Sequence, residues 1–322
     1  LDLKKPEAIE IIKALIKDYD IVLEQFRPGV MDRLGIGYEA LKAINPKLIY
    51  CAITGYVQTG PYKDRAGHDL NYLAIAGISS YSKRKEQAPI PQGIQIADVA
   101  GGSLHGVIGI LTALHHRQRT GEGQMIDISM TDCAFALNAM SGAGALAGED
   151  IPDAESHLLN GGTFYDYYQT SDGRYLSIGS LEPKFFAGLC QLLDLEHLLP
   201  LANEVSAQQQ IKDSFTYAFK QKAYEQWQAI FISLDLCVEP VLNLKEASEH
   251  PQLIAREMIV DVPHSQIGTQ KQLGCPIKFS TYQTQYQQAG GDIGADSEQV
   301  LTKLGFSSEK ISALEKSGVV TI

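Results

Sequence analysis

The sequence predicts an α/β protein with a second, smaller α+β domain. Three observations lead to this prediction: helical and strand-like patterns alternate at the start of the chain, a long glycine-rich helix precedes a further strand, and a hairpin pattern followed by helices occupies the middle. Alternating helices and strands with short connections are typical of a parallel sheet that is covered by helices.

The first part of the chain holds two helix–strand units. Apolar residues in "EAIEIIKALI" recur with helical spacing, and the run "IVL" from Ile21 suits a buried strand. Residues 38–44 predict a second, short helix that ends at "NPK", and "LIYCAI" is an apolar run of strand length. This order predicts parallel strands.

The longest predicted helix is "ADVAGGSLHGVIGILTALHHRQRTGEG", which we expect to start at Asp98 and to stop at Gly121. Each glycine inside it lowers helix propensity by about 1 kcal/mol relative to alanine. The usual reason for tolerating such glycines is the close approach of a backbone or a ligand. The following "QMIDISM" predicts another strand.

The middle and the end of the chain predict the domain organisation. "FYDYYQTSDGRYLSIGS" has the pattern of a hairpin around "SDG", and "PKFFAGLCQLL" and "QKAYEQWQAIFISL" predict helices. The tail predicts two short helices, the first stopped by Gly305. We expect a large α/β domain over 1–140 with 270–322, a small α+β domain over 160–262, and linkers over 141–159 and 263–269.

Composition limits the classes of function. With 322 residues, 44% hydrophobic residues and a formal charge of −11, the chain is expected to be soluble and globular, without nucleic-acid or membrane partners. No apolar run approaches about 20 residues, and the first residues lack a secretory signal. The five cysteines are scattered without metal-ligand spacing, so we expect reduced core residues and no metal site.

His68, Asp98 and Glu182 are the candidate catalytic residues, although each also has an ordinary structural explanation. A lone histidine is usually structural, Asp98 stands where a helix N-cap is expected, and Glu182 stands in the first turn of a helix. Helix N-termini gather at the carboxyl ends of strands in α/β proteins. The residues alone therefore indicate anion-binding helix ends and a His/Asp/Glu cluster.

Longer segments resemble a known family. "EQFRPGVMDRLGIGYEALKAINPKLIYCAITGYVQTGPY" is similar to the signature region of the family III CoA-transferases (CaiB/BaiF), and "AGHDLNY", "ADVAGG" and "SLEPKF" resemble its α-methylacyl-CoA racemase branch. The resemblance extends to "HPQLIAREM" and "GCPIKFS". It implies a Rossmann-like large domain built from both chain ends and an interlocked homodimer. It also implies that the family's first strand and helix, which help to hold CoA, are missing before Leu1.

The resemblance implies racemisation of 2-methylacyl-CoA thioesters by proton transfer through an enolate. His68 would serve one face of the α-carbon and Asp98 the other, and Glu182 would accept a hydrogen bond from the second imidazole nitrogen. Inversion needs two groups in opposite protonation states, which a histidine and a carboxylate supply near neutral pH. We expect the backbone N–H groups after Asp98 to stabilise the enolate oxygen.

The resemblance also implies where the substrate binds. Arg27, Arg33 and Tyr62 are expected at the CoA part, because planar guanidinium groups match phosphate oxygens. Asp69 and Tyr72 are expected beside them, with the acyl chain against Tyr72 and the "GGTFYDYY" hairpin. No cofactor is implied other than the coenzyme A that the substrate carries.

Two other functions remain open. A CoA-transferase would use Asp98 as a nucleophile that forms an acyl anhydride, and a non-catalytic relative would only bind acyl-CoA. The acyl group could be a branched fatty acid, a bile-acid-like side chain or a smaller acid. The expected compartment is the cytoplasm in a bacterium, or the peroxisome or mitochondrion in a eukaryote; the terminal "GVVTI" is not a peroxisomal signal.

Overall fold

A computed structural model describes residues 1–322. The chain divides into two compact units, the first formed by Leu1–Ala154 with Ile293–Ile322 and the second by Glu155–Asp292. The first unit therefore combines both ends of the chain. Each unit has its own sheet and its own buried core.

Helices and strands alternate through both units. The α-helices are α1 (Pro6–Leu15), α2 (Val30–Arg33), α3 (Tyr38–Lys42), α4 (Asp69–Ile75), α5 (Ile78–Tyr81), α6 (His105–Thr120), α7 (Met130–Ala136), α8 (Ala139–Leu146), α9 (Pro183–Leu192), α10 (Gln208–Phe219), α11 (Tyr224–Phe231), α12 (Leu244–Ser248), α13 (Pro251–Ala255), α14 (Ser297–Lys303) and α15 (Ser308–Lys316). A π-helical segment, Ala97–Leu104, precedes α6, and short 3₁₀ turns cover Glu196–Leu201 and Val205–Ala207. The strands are β1 (Ile21–Glu24), β2 (Ile49–Thr54), β3 (Met125–Ser129), β4 (Asp166–Gln169), β5 (Tyr175–Ile178), β6 (Val238–Pro240), β7 (Ile259–His264) and β8 (Gly268–Leu273).

The first unit is built on a parallel sheet with the order β1-β2-β3. Ile21 pairs with Ile49, and Tyr50 pairs with Met125. The central strand β2 is buried along almost its whole length, as a parallel strand covered on both faces should be. The predicted parallel α/β arrangement is confirmed, because "IVL", "LIYCAI" and "QMIDISM" all form strands of this sheet.

The long helix packs against the sheet through its glycines. A Cβ atom at Gly106 would lie 3.0 Å from Ile53 Cδ1, and one at Gly109 would lie 2.9 Å from Ile126 Cγ2. The helix therefore approaches β2 and β3 more closely than a side chain would allow. Gly121 ends α6 with a φ of 80°, as predicted. Close contact with the sheet, rather than the approach of a ligand, therefore explains Gly106 and Gly109.

The other face of this helix is apolar and exposed. Leu104, Val107, Ile108 and Leu111 are each more than half exposed. Judged by length and composition alone, Ala97–Thr120 could cross a membrane, which the sequence analysis did not expect. Core helices of soluble proteins meet the same criteria.

Both ends of the chain share one core in the first unit. Ala8 and Ile11 of α1 pack with Leu301 of α14 and with Ile311 and Leu314 of α15. The two predicted terminal helices are confirmed, and the left-handed turn at Gly305, with a φ of 85°, separates them. This core explains why the last thirty residues join the first unit.

The second unit has an antiparallel sheet with the order β4-β5-β6. The predicted hairpin forms β4 and β5, and Gly173 in its turn has a φ of 83°. The predicted helices correspond to α9 and α11, which pack on the sheet around Phe186, Phe215 and Trp227. The expected small α+β domain is therefore present in this unit.

The predicted linkers contain more structure than expected. Residues 263–269 form the end of β7, a turn and the start of β8, because Gly268 adopts a φ of 80° and closes a hairpin. The linker 141–159 begins inside α8.

Residues 270–292 were expected in the large domain but belong to the second unit. The N–H of Gly274 donates to the Met258 carbonyl, and the N–H of Ala289 donates to the Pro263 carbonyl. These bonds tie the segment to the β7–β8 hairpin.

The cysteines follow the expectation only in part. Cys51 and Cys190 are buried and Cys133 and Cys275 are half-buried, all as free thiols. Cys237 is exposed, so the prediction of five core residues is wrong at this position. The backbone there has a φ of 53°, which marks a tight loop before β6.

Candidate active site

A cavity of about 890 Å³ lies at the carboxyl ends of the parallel strands. The segments that follow each strand contribute to its wall: Phe26 and Arg27 after β1, Gly55 and Tyr56 after β2, and Met130 after β3. Ligands of open α/β sheets bind at this edge. The cavity is therefore the candidate active site of the first unit.

His68 lines this cavity from the start of α4. Its N–H donates to Asn71 Oδ1 at 3.0 Å, and its carbonyl accepts from the Asn71 N–H at 2.8 Å. This reciprocal pair fixes the backbone at the helix start. His68 itself is exposed, so its imidazole is accessible from the solvent.

Asp98 lines the same cavity, but it is not the N-cap that the sequence predicted. The helical segment begins at Ala97 as a π-helix, and no side chain caps it from the flanking Ile96. Asp98 is half-buried in its first turn. Burial raises the pKa of the Asp98 carboxyl, the nearby Asp69 raises it further, and His68 lowers it.

Asp69 bonds to the backbone of the π-helical segment. Its Oδ1 accepts the N–H of Ala97 at 2.6 Å and the N–H of Asp98 at 3.1 Å. Asp69 was expected among the CoA-contacting residues, whereas its carboxylate holds this helix start. The N–H of Val99 in turn donates to the Gln95 carbonyl at 2.9 Å. The first donors of this helix are thus occupied, which contradicts their expected role at the enolate oxygen.

The cations at the cavity differ in part from those predicted. Arg27 lines it, together with Lys63 and Arg65, which the sequence analysis missed. The signal was the cationic pair in "YKDR", directly after the predicted Tyr62. The Arg65 guanidinium lies over the Tyr62 ring, 4.1 Å from its centroid, so Tyr62 supports a cation at the wall. Arg33 is exposed on α2 and does not line this cavity.

Tyr72 supports the loop that carries His68. It is buried, and its hydroxyl donates to the carbonyl of Gly67. Its ring packs edge-to-face on Tyr56 with 5.2 Å between centroids. A Cβ at Gly67 would lie 2.7 Å from the Tyr72 ring, and one at Gly55 would lie 2.4 Å from its hydroxyl. The two glycines leave room for this ring, and Tyr72 itself lines the cavity.

Glu182 belongs to the second unit, at the N-cap position of α9. Its carbonyl accepts the N–H groups of Phe185 and Phe186 at 2.9 and 3.0 Å. Its side chain is exposed and makes no capping hydrogen bond, so the carboxylate is not used by its own helix. Pro183 at the first helical position suits this helix start.

Comparison with known proteins assigns the family. The family model for CoA-transferase family III matches residues 1–297. The chain belongs to CoA-transferase family III. It is 33% identical to the α-methylacyl-CoA racemase of Homo sapiens over 322 residues, which covers 99% of this chain and 84% of that protein. It is also 33% identical to an acyl-CoA transferase of Fusarium pseudograminearum, covering 99% of this chain and 72% of that protein.

A solved structure supports the same assignment. A CAIB/BAIF family protein from Brucella suis matches with a TM-score of 0.81 and 29% identity, covering 94% of this chain and 80% of that one. This is an enzyme family whose named members include both racemases and transferases. Membership in it implies an acyl-CoA substrate.

Proposed function

We propose that the protein racemises 2-methylacyl-CoA thioesters by moving the α-proton through an enolate. The observation that carries this proposal is that His68 and Asp98 line one cavity at the carboxyl ends of the parallel strands. The likeness to α-methylacyl-CoA racemases supports it.

The two residues have the properties that inversion requires. One group removes the α-proton while the other returns a proton to the opposite face, so the pair must hold one proton between them. The pKa of Asp98 is raised by burial and by Asp69, which brings this carboxyl closer to the range in which a histidine titrates. Each residue then serves as acid in one direction and as base in the other.

The role of Glu182 as the group that orients the His68 imidazole stays a prediction. A carboxylate that accepts a hydrogen bond from one imidazole nitrogen fixes the tautomer of the ring and leaves the other nitrogen for proton transfer. The uncommitted carboxylate of Glu182 supports this role.

Stabilisation of the enolate oxygen needs donors other than those first expected. The N–H groups of Ala97 and Asp98 donate to Asp69. The enolate oxygen would therefore need donors elsewhere on the cavity wall. An oxyanion donor of this kind contributes roughly 3 to 4 kcal/mol to the transition state.

The cations at the cavity wall suit the phosphates of coenzyme A. Arg27, Lys63 and Arg65 present positive charge to one side of the cavity, and guanidinium forks match phosphate oxygens. The homodimer and the cellular compartment stay predictions, as does the wall for the acyl chain formed by the "GGTFYDYY" residues.

A transferase is the second candidate, because a relative of equal identity carries that name. There the Asp98 carboxylate would attack the thioester carbonyl, form a mixed anhydride and release the CoA thiolate. A raised pKa works against this step, since it lowers the fraction of carboxylate that can attack. His68 also has no part in it. We therefore favour the racemase.

The test is exchange of the α-proton of a 2-methylacyl-CoA in deuterated water, followed by mass spectrometry and chiral analysis. We expect deuterium uptake with loss of optical purity. His68→Ala and Asp98→Asn should each lower exchange by about 10² to 10⁴-fold. His115→Ala, at an exposed position on α6, is the control and should exchange like the parent.

Two outcomes would contradict the proposal. Transfer of CoA to an added carboxylic acid without deuterium uptake would establish the transferase. Binding of acyl-CoA with neither reaction, by a folded protein, would establish a non-catalytic relative.

A further inference from the structure

The side chain of Asp69 links the backbone next to His68 with the backbone of Asp98. Asp69 follows His68 directly in the chain and is the first residue of α4. Its Oδ1 accepts N–H groups from Ala97 and from Asp98, which lie 28 and 29 residues further along. The starts of α4 and of the π-helical segment are thereby tied together at the cavity.

The buried helix start needs this acceptor. In a π-helix each N–H bonds the carbonyl five residues earlier, so the first turn has donors without intrahelical acceptors. Ala97 is fully buried, and water therefore cannot replace the missing acceptor at its N–H. The Asp69 carboxylate supplies it. This explains how a π-helical turn, which is rare in proteins, is kept at this position.

The contact also acts on charge. The Asp69 carboxylate raises the pKa of Asp98, while His68 lowers it; both act from the start of α4. The other charged groups at the cavity are the carboxylate Glu24 and the cations Arg27, Lys63 and Arg65. A single negative charge next to Asp98 thus favours its protonated form.

We infer that Asp69 is a positioning residue for proton transfer. It fixes the backbone of Asp98 relative to that of His68, and it places a negative charge near the Asp98 carboxyl. This inference rests on the proposed racemase function. Asp69 acts through Asp98 and is not itself expected to exchange a proton with the substrate.

Two substitutions separate its two actions. Asp69→Asn keeps an oxygen acceptor but removes the charge, whereas Asp69→Ala removes both. We expect Asp69→Ala to lower α-proton exchange by about 10²-fold, because small misplacements of catalytic groups have effects of this size. Asp69→Asn should have a smaller effect on the rate. Glu309→Gln, in the first turn of α15, is the matched control.

The decisive readout is the pH dependence. The acid limb of the rate profile reports protonation of Asp98, and loss of the neighbouring charge lowers the pKa of Asp98. In Asp69→Asn the acid limb should therefore move to lower pH. A carbon-13 titration of the Asp98 carboxyl, assigned with Asp98→Asn, should move in the same direction without any need for activity.

The outcomes are distinct for the two claims. Unchanged pH profiles and an unchanged Asp98 titration in both Asp69 variants would overturn the inference, even if their stability falls. A parent protein without α-proton exchange would contradict the proposed function instead, and the carbon-13 titration would then decide the inference alone.

Discussion

The starts of two helices carry the carboxylates that the sequence marked as catalytic, and their surroundings differ. Asp98 is half-buried in a π-helical turn, its N–H is held by another carboxylate, and its pKa is raised. Glu182 is exposed at the N-cap position of the regular helix α9 and is followed by Pro183. Its side chain makes no capping hydrogen bond. A carboxylate at a helix start is therefore compatible with two different roles, proton transfer and orientation of another residue.

The different surroundings of the two carboxylates match two different roles, proton transfer and the orientation of a partner residue. A group that exchanges protons with a weak carbon acid benefits from burial, which brings its pKa towards the working pH. A group that only holds a partner in place benefits from staying charged and free to accept a hydrogen bond. Asp98 has the first set of properties, whereas the Glu182 carboxylate is exposed and makes no capping hydrogen bond.

The largest expected effect is on activity. Asp98→Asn removes a proton-transfer group and should lower α-proton exchange by about 10² to 10⁴-fold. Glu182→Gln keeps a hydrogen-bonding side chain and removes only the charge, so we expect a loss of about 10 to 10²-fold. The measurement is exchange in deuterated water under saturating substrate. Equal losses in the two variants would remove the distinction between the two helix starts.

The regular parts of the fold could be predicted from the sequence. "LIYCAI" is apolar because β2 is buried on both faces, and "SDG" contains the left-handed glycine that the β4–β5 turn requires. These elements depend on local pattern, which a single sequence displays.

Other features depend on contacts between distant residues. The π-helical segment is held by Asp69, almost thirty residues earlier. The spacing of apolar residues in the sequence cannot predict a hydrogen bond between residues so far apart. Strand β8, "GTQKQL", is exposed throughout and so lacks the apolar alternation of a half-buried strand. In the sequence, Lys63 and Arg65 cannot be distinguished from ordinary solvated cations. In the structure, the loop before α4 places them at the cavity.

Like the fold, the candidate site could be predicted from the sequence only in part. The residues alone predicted a His/Asp/Glu cluster at the helix ends of an α/β protein. His68 and Asp98 line one cavity, whereas Glu182 belongs to the second unit. The role of Asp69 did not follow, because a carboxylate that accepts two backbone N–H groups is indistinguishable in sequence from one that faces a ligand.

A smaller effect should distinguish the helices behind the two carboxylates. Gly109→Ala in α6 places a Cβ 2.9 Å from Ile126 Cγ2, a methyl group attached directly to the Cβ of a β-branched strand residue whose χ1 is restricted. Gly188→Ala in α9 places a Cβ 2.6 Å from the tip of Leu236, which can rotate away. Alanine also gains up to about 1 kcal/mol of helix propensity at each position.

We expect Gly109→Ala to destabilise the protein by about 1 kcal/mol, because overpacking costs roughly 1 to 3 kcal/mol and exceeds the gain. Gly188→Ala should be near neutral. Urea unfolding followed by circular dichroism and by the fluorescence of Trp227 measures both. The control is Gly93→Ala, where a Cβ meets no atom within 4 Å. A neutral Gly109→Ala would show that α6 can move away from the sheet.

The smallest effect concerns stability and its pH dependence. A carboxyl whose pKa is raised on folding makes the folded state less stable once pH exceeds the pKa of the unfolded chain. Asp98→Asn should therefore raise the urea midpoint at pH 7, and the difference should vanish in acid, where Asp98 is protonated in both states. Glu182→Gln, on the surface, should change stability by less than about 0.5 kcal/mol. A lower midpoint for Asp98→Asn at pH 7 would mean that the negative charge stabilises this helix start, and the proposed tuning of Asp98 by burial and Asp69 would then be wrong.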